Sequence, residues 1–306
     1  MGKIKRKTPL DPGIVVGHRL TVLSLLGSGT FANVYRCSKA NSSKQYALKV
    51  VRKEDLGPYE CEILQLISDR QSESYYCMKL LRQFRYKKAM TCLVMPIYSP
   101  SCFDLIKANN YNGLFIERIR DLALGIFAGL QFLNELNIIH TDIKSENIVV
   151  RREGDYRHPI IIDFGSAVYD HPNNTDKITT EAYRAPEVEI GTQPAYGTSV
   201  PLVWNSAVDV WSAGCVLYEL WKGVQLFEKD PDLDLIYIIN DIIGHLPYRI
   251  PPRKHQFYLT TTLKDTPCKG KEEKTLLGLI CQCLTPFPAH RPSATEILHQ
   301  LRLWDM

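Results

Sequence analysis

The chain has 306 residues, 45% hydrophobic and 23% charged, enough for one large or two modest globular domains without disulfides or structural metals. A net charge of +4 is too mild to mark a nucleic-acid binder. Nine singly scattered cysteines, with Cys281 and Cys283 too close for a zinc knuckle or a bridge, point to a reducing compartment, nucleus or cytosol. No apolar run is long enough to span a membrane, and MGKIKRKTPLDPG lacks the apolar core of a signal peptide, so a soluble intracellular protein is expected.

Residues 1–16 read as a basic, flexible tail. Its run Lys3-Ile4-Lys5-Arg6-Lys7 is a solvated end by composition, with a nuclear import patch as the alternative. From 17 to about 96 the texture is strand-like. LTVLSLLG, ANVYRCSK and QYALKVV are β-branched or aromatic runs separated by Gly, Asn and Ser, and MKLLRQFRY with TCLVMPI makes a further hairpin. A helix around 58–68, with Ile63, Leu64 and Ile67 at helical spacing, interrupts them. After a short hinge near 96–100, helices dominate from 101 to 304. Ile119, Leu122, Ile126, Leu130 and Leu133 form the stripe of a long amphipathic helix, and DVWSAGCVLYELW (209–221) is apolar on nearly every side. A helix over 234–244 stops at Gly244, and Ser293 with Glu296 makes the capping box of the last helix. The expected class is α+β: a small β-rich lobe and a larger helical lobe, with a nucleotide accommodated between them. Segment 191–204 reads as a long surface loop, with docking as the alternative.

Two strings hold the chemistry. Residues 140–147 read HTDIKSEN, and sixteen positions after Asn147 comes Asp163-Phe164-Gly165. They supply a carboxylate, Asp142, able to take a proton from a hydroxyl. They also supply a lysine, Lys144, able to neutralise a phosphate, and an amide and a carboxylate, Asn147 and Asp163, able to hold Mg²⁺. Moving a phosphoryl group is mostly positioning and charge neutralisation, and needs little more. Upstream, Gly27-Ser28-Gly29-Thr30-Phe31-Ala32-Asn33-Val34 links two strands, and such glycines let backbone N–H groups close over phosphates. By itself this is an ordinary turn. Lys49, in the apolar strand YALKV, needs anionic partners if buried: phosphates and a helix carboxylate, taken here as Glu62 rather than Glu60 because Glu62 opens Glu-Ile-x-x-Leu.

With a later Ala185-Pro186-Glu187, these spacings make the chain resemble a eukaryotic protein kinase over roughly 17–304, with a bilobal kinase fold. The resemblance implies ATP and Mg²⁺, Asp209 as a buried brace of the catalytic loop, and Arg291 as partner of Glu187. Lys144 with Thr180 is the serine/threonine pattern. Aligning CLVMP places Ala47 and Met95 at the adenine pocket, with adenine bonded by the carbonyl of Pro96 and the N–H of Tyr98. Arg184 in YRAPE is similar to the CMGC group. HTD, DFGSA and the 25-residue span from Asp163 to Glu187 resemble LAMMER and SR-protein kinases, although DLIYIINDIIGHLP erodes the LAMMER motif itself. Against that branch, 191–204 is longer and the inserts flanking 150–160 and 248–272 are trimmed.

The resemblance further implies a monomeric enzyme acting on protein substrates with Arg-Ser-like sequences, in nucleus or cytoplasm. Glu181 beside the peptide groove would attract basic neighbours of the acceptor, unless it pairs with a neighbouring arginine of the chain such as Arg184. Alternatives are a pseudokinase scaffold, disfavoured because Lys49, Asp142, Asn147 and Asp163 are all kept, and a CMGC kinase of Pro-directed or dual specificity. With Thr141 where kinases often have an arginine, activity should not require a phosphate on the activation loop, which carries Thr175, Thr179 and Tyr183.

Overall fold

A computed structural model describes residues 10–17, 19–29, 32–39, 42–52, 56–71, 76–87, 90–191, 202–228, 231, 233–244, 246–248, 250 and 262–304. The basic run, Thr30, Phe31, most of 191–204 and much of 248–272 lie outside them. The described chain divides into two compact units, one drawn from Met1–Ser72 and Met78–Ile97, the other from Glu73–Cys77 and Tyr98–Met306.

In the first unit, β1 (Val15–Val16), β2 (Leu20–Ser28), β3 (Ala32–Lys39), β4 (Gln45–Val51), β5 (Arg82–Tyr86) and β6 (Met90–Pro96) form an antiparallel sheet ordered β1-β2-β3-β4-β6-β5. One face buries Val22, Tyr35, Cys37, Leu48, Val50, Cys92 and Val94 as a core. Alternation then sends Ala47, Lys49 and Met95 to the other face. Helix α1 (Leu56–Arg70) buries Ile63, Leu64 and Ile67 completely. Val15 and Val16 pair with Thr21 and Leu20, so the sheet reaches into the stretch read as a tail: the domain begins before residue 17.

The second unit holds α2 (Cys102–Ala108), α3 (Ile116–Glu135), β7 (Ile138–Ile139), β8 (Ile148–Val150), β9 (Pro159–Ile161), β10 (Val168–Tyr169), α4 (Pro186–Ile190), α5 (Ala207–Lys222), α6 (Leu235–Ile243), α7 (Lys271–Cys283) and α8 (Ala294–Leu303). The striped helix α3 packs against α5 and α8, and its Ile119, Leu122, Ile126, Leu130 and Leu133 are all buried. Helix α5 is buried nearly all round, and Trp211 stacks on Phe227 at 5.7 Å. It ends at Gly223, φ 80°, where a Cβ would lie 2.0 Å from the Tyr111 carbonyl oxygen, so only glycine fits. The Ser293–Glu296 capping box forms as expected, with Ser293 Oγ accepting from Glu296 N at 3.3 Å.

Tyr76 and Cys77 belong to this second unit, not to the first as the contiguous lobe boundary implied. The Ile161 N–H donates to the Tyr76 carbonyl at 2.7 Å. Gly129 on α3 admits this packing, since a Cβ there would sit 2.8 Å from Ile161 Cδ1.

Candidate active site

In the first unit, the glycine turn closes with the Gly29 N–H donating to the Ala32 carbonyl at 2.9 Å, and Ser28 Oγ donates to Asn33 Oδ1 at 2.9 Å. Gly27 stands opposite Val34. Neither Gly27 nor Gly29 has a positive φ. Among the described residues, a Cβ on Gly27 would meet nothing within 4 Å, and one on Gly29 the Ala32 oxygen at 3.6 Å. Nothing among the described residues of this unit therefore demands glycine at either position. A bare backbone edge there suits a phosphate approaching from outside the chain, which is the fit expected of ATP.

Lys49 is 9% exposed, and its Nζ lies 2.6 Å from Glu60 Oε1. This corrects the assignment to Glu62, which is exposed. The reason is helical phase. Glu60, Ile63, Leu64 and Ile67 recur at i, i+3, i+4 and i+7 and share the buried face, whereas Glu62 is rotated off it. Ala47 and Met95 are buried cross-strand partners in β4 and β6, Pro96 stands opposite Tyr46, and Tyr98 opens the second unit half-buried.

The second unit assembles HTDIKSEN between β7 and β8. Asp209, 2% exposed at the start of α5, accepts the N–H groups of His140 at 2.7 Å and Thr141 at 2.9 Å. Burial pushes its carboxyl upward, while the two N–H bonds oppose that and fit an ionised acceptor. The Asp142 N–H donates to His140 Nδ1 at 3.2 Å, so His140 Nε2 carries the proton and donates to the Ile162 carbonyl at 2.9 Å. Thr141, φ 65° and buried, donates its hydroxyl to the Ser166 carbonyl at 2.7 Å.

These contacts aim Asp142. Its Oδ2 accepts from Lys144 Nζ at 2.6 Å and Asn147 Nδ2 at 3.2 Å, and its Oδ1 from the Thr180 hydroxyl at 2.6 Å. Lys144 Nζ also reaches Thr180 Oγ1 at 3.0 Å. A cavity of about 340 Å³ lies against this group, walled by Thr141, Ser166, Lys177, Ile178, Thr179 and Thr180.

The Ile162 N–H donates to the Asn147 carbonyl at 2.9 Å, which sets Asp163 beside Asn147. Asp163 takes φ 64°, and Phe164 is buried edge-on to His140 with ring centroids 4.9 Å apart. The Asn147 amide nitrogen is committed to Asp142, so its oxygen is the atom that could serve a cation. Among the described residues no cluster of three or more His, Cys, Asp or Glu could cage a metal alone. Two oxygen ligands suit Mg²⁺, which completes its shell with water and substrate phosphates.

Below the activation segment, Arg291 makes a bidentate pair with Glu187, at 2.8 and 3.1 Å, and its Nε donates to the Thr285 carbonyl at 2.9 Å. Tyr183, 1% exposed, donates its hydroxyl to Glu219 at 2.7 Å, and burial raises the pKa of both groups. Glu181 opens the short turn Glu181–Tyr183, but Arg184 is committed elsewhere: to Glu189 at 2.6 Å and to the carbonyls of Ile178 and Thr179 at 2.9 Å. The Glu181–Arg184 pairing weighed from sequence is not the one formed. Glu189 and Glu219 carry no sequence signal as functional partners, whereas Glu60, set aside for Glu62, has one in its helical phase.

The protein kinase domain family matches residues 20–301. The chain belongs to the protein kinase family. Serine/threonine-protein kinase Doa of Drosophila melanogaster is 30% identical over 273 residues, 82% of this chain and 31% of that protein. Dual specificity tyrosine-phosphorylation-regulated kinase 2 of the same organism is 30% identical over 308 residues, 93% of this chain and 41% of that protein. These relatives are kinases of the CMGC type. The chain thus spans less than half the length of either. A crystal structure of a kinase domain superposes with a TM-score of 0.82 at 24% identity, covering 96% of this chain and 98% of that one, a likeness of fold. Asp142, Asp163 and Lys49 accordingly stand in a kinase-family chain whose two units correspond to the expected β-rich and helical lobes.

Proposed function

We propose that this chain transfers the γ-phosphoryl group of ATP to Ser and Thr hydroxyls of proteins. The observation that carries the reading is the orientation of Asp142, whose two oxygens are held by Lys144, Asn147 and Thr180. Oδ1, now accepting the Thr180 hydroxyl, is the atom placed to take the proton of an acceptor hydroxyl. Lys144 sits where it neutralises charge on the group in transit. Lys49, oriented by Glu60, presents its ammonium to phosphate oxygens. Asn147 and Asp163 would hold Mg²⁺, which would supply charge compensation to the phosphates.

The finer reading is an acceptor Ser in a basic, Arg-Ser-like context, with the chain acting as a monomer in nucleus or cytoplasm. Glu181, one residue past Thr180, places a carboxylate near the acceptor, where a partly desolvated pair with Arg is worth ~1–3 kcal/mol. Arg184, engaged by Glu189, shapes the wall of the groove. The test is transfer of labelled phosphate from Mg-ATP to a basic protein, followed by a peptide library. Glu181→Arg should weaken selection for basic neighbours while sparing turnover on neutral peptides. Undiminished turnover by a folded Asp163→Ala chain would sink the kinase reading, and a library without preference for Arg around Ser would sink the basic-acceptor one.

A further inference from the structure

Two residues beyond Glu187, helix α4 buries a second carboxylate that the chemistry above leaves unused. Glu189 is 6% exposed. Arg184 Nη1 donates to it at 2.6 Å, and Lys177 Nζ lies 3.1 Å away. Residues 187 and 189 are about 200° apart around a helix, so one faces Arg291 in the body of the unit while the other faces the activation segment. From there a chain of contacts leads to the base. The Arg184 guanidinium that grips Glu189 also donates to the Ile178 and Thr179 carbonyls, each at 2.9 Å. Thr179 is held at φ 65°, a left-handed conformation costly for a β-branched residue. The next residue, Thr180, donates its N–H and its hydroxyl to Asp142 Oδ1, at 3.2 and 2.6 Å. One carboxylate fixes two cations, one of those cations fixes two carbonyls, and the carbonyls fix a strained turn. That turn forms a wall of the 340 Å³ cavity beside the base.

We propose that Glu189 is a positioning residue for the protein acceptor. Its carboxylate holds Arg184 and Lys177 so that Lys177–Thr180 keeps the shape that seats the acceptor segment against Asp142, with no phosphate on the segment. The inference rests on the protein-kinase reading of the site and adds to it a specific internal anion. Kinase activation loops are commonly ordered by an added phosphate that pairs with arginine. Here Arg184 already has its anion, delivered by the first turn of α4.

The test is steady-state kinetics of the full chain on a Ser peptide and Mg-ATP, after phosphatase treatment, with thermal melting as the control for folding. Glu189→Gln keeps the shape of the side chain and removes its charge. It should raise KM for the peptide roughly 10- to 100-fold while KM for ATP moves less than about twofold, the signature of a displaced acceptor wall. Should Glu189→Gln melt below the assay temperature, Glu189→Asp takes its place, withdrawing the charge by one methylene and raising peptide KM roughly threefold to tenfold. An unchanged peptide KM in the folded variant, an equal rise in both KM values, or a wild-type chain inactivated by phosphatase overturns the inference. A wild-type chain that phosphorylates no peptide, phosphatase-treated or not, overturns the kinase reading itself. That outcome is distinct from an active enzyme indifferent to Glu189.

Discussion

Two ion pairs of the helical unit divide its charged side chains by task. The Arg291–Glu187 pair has side-chain exposures of 0% and 2%, is bidentate, and has its spare Nε donor satisfied by a carbonyl. The Lys144–Asp142 pair keeps exposures of 21% and 18% and shares its oxygens with Asn147 and Thr180. A sealed pair has given up all exchange with water or ligand, so its removal leaves an unpaired charge in a dry interior and is felt as stability. A pair that stays partly wet can trade a partner for a substrate, and its removal is felt as rate. Lys49–Glu60, at 11% and 4%, lies between them.

The sharpest way to break this division is to neutralise the wet pair. Asp142→Asn should lower turnover by about 10³-fold or more with an unchanged melting temperature, because it removes the base yet keeps the shape and one acceptor oxygen. A large drop in melting temperature would place Asp142 among the structural charges instead. The complementary variant, Arg291→Ala, should cost about 3–5 kcal/mol of stability in denaturant unfolding, since it strands Glu187 in the interior. Near-normal stability would mean that Glu187 finds water or another donor.

The intermediate pair separates two neighbours on one helix. Glu60→Gln should lower kcat/KM roughly 10- to 100-fold as Lys49 loses its orientation, whereas exposed Glu62→Gln should stay within about twofold. The reverse order of effects would refute the helical phase described here. The smallest effect concerns Glu219, whose pKa is raised above its ordinary 4.5 by burial. A raised carboxyl stabilises the fold while protonated and loses that contribution as pH climbs through its folded pKa. Glu219→Gln should therefore melt like wild type in acid below that ordinary value and somewhat above it at pH ~8, by roughly 1–2 °C. A gap that stays constant with pH would show that Glu219 does not titrate in this range.

Much of this arrangement is legible from residues alone, and the rest fails for identifiable reasons. Strands β2, β3, β4 and β6, helices α3, α5 and α6 and the Ser293–Glu296 cap follow from periodicity and stop signals, which are local. Asp142, Lys144, Asn147 and Asp163 are legible because their spacing is fixed within two short strings. Glu62 was misassigned because a five-residue pattern was preferred over the longer phase set by Ile63, Leu64 and Ile67. The two-residue strands β7 and β10 carry too few residues to show alternation. Lys177–Glu189 and Tyr183–Glu219 join segments 12 and 36 residues apart, and no local pattern encodes which of several acidic residues will be buried together with a cation. The assignments of Asp209 and Arg291 came from family resemblance, and the hydrogen bonds now give each a physical basis.

The alternation along β4 also sets where this chain tolerates a change in length. Leu48 and Val50 fill the core on one face while Ala47 and Lys49 occupy the other, with Val34 and Leu93 opposite Lys49. Deleting a single residue between Gln45 and Leu48 would shift the strand by half a period, turning an ammonium into the hydrocarbon interior and an aliphatic side chain to the face that now carries Lys49. Deleting two would restore the faces but move Lys49 about 7 Å along the strand, away from Glu60. Insertions and losses are therefore confined to the connection that precedes Gln45, and the spacing from the glycine turn to the lysine is elastic while the spacing from the strand to its lysine is not.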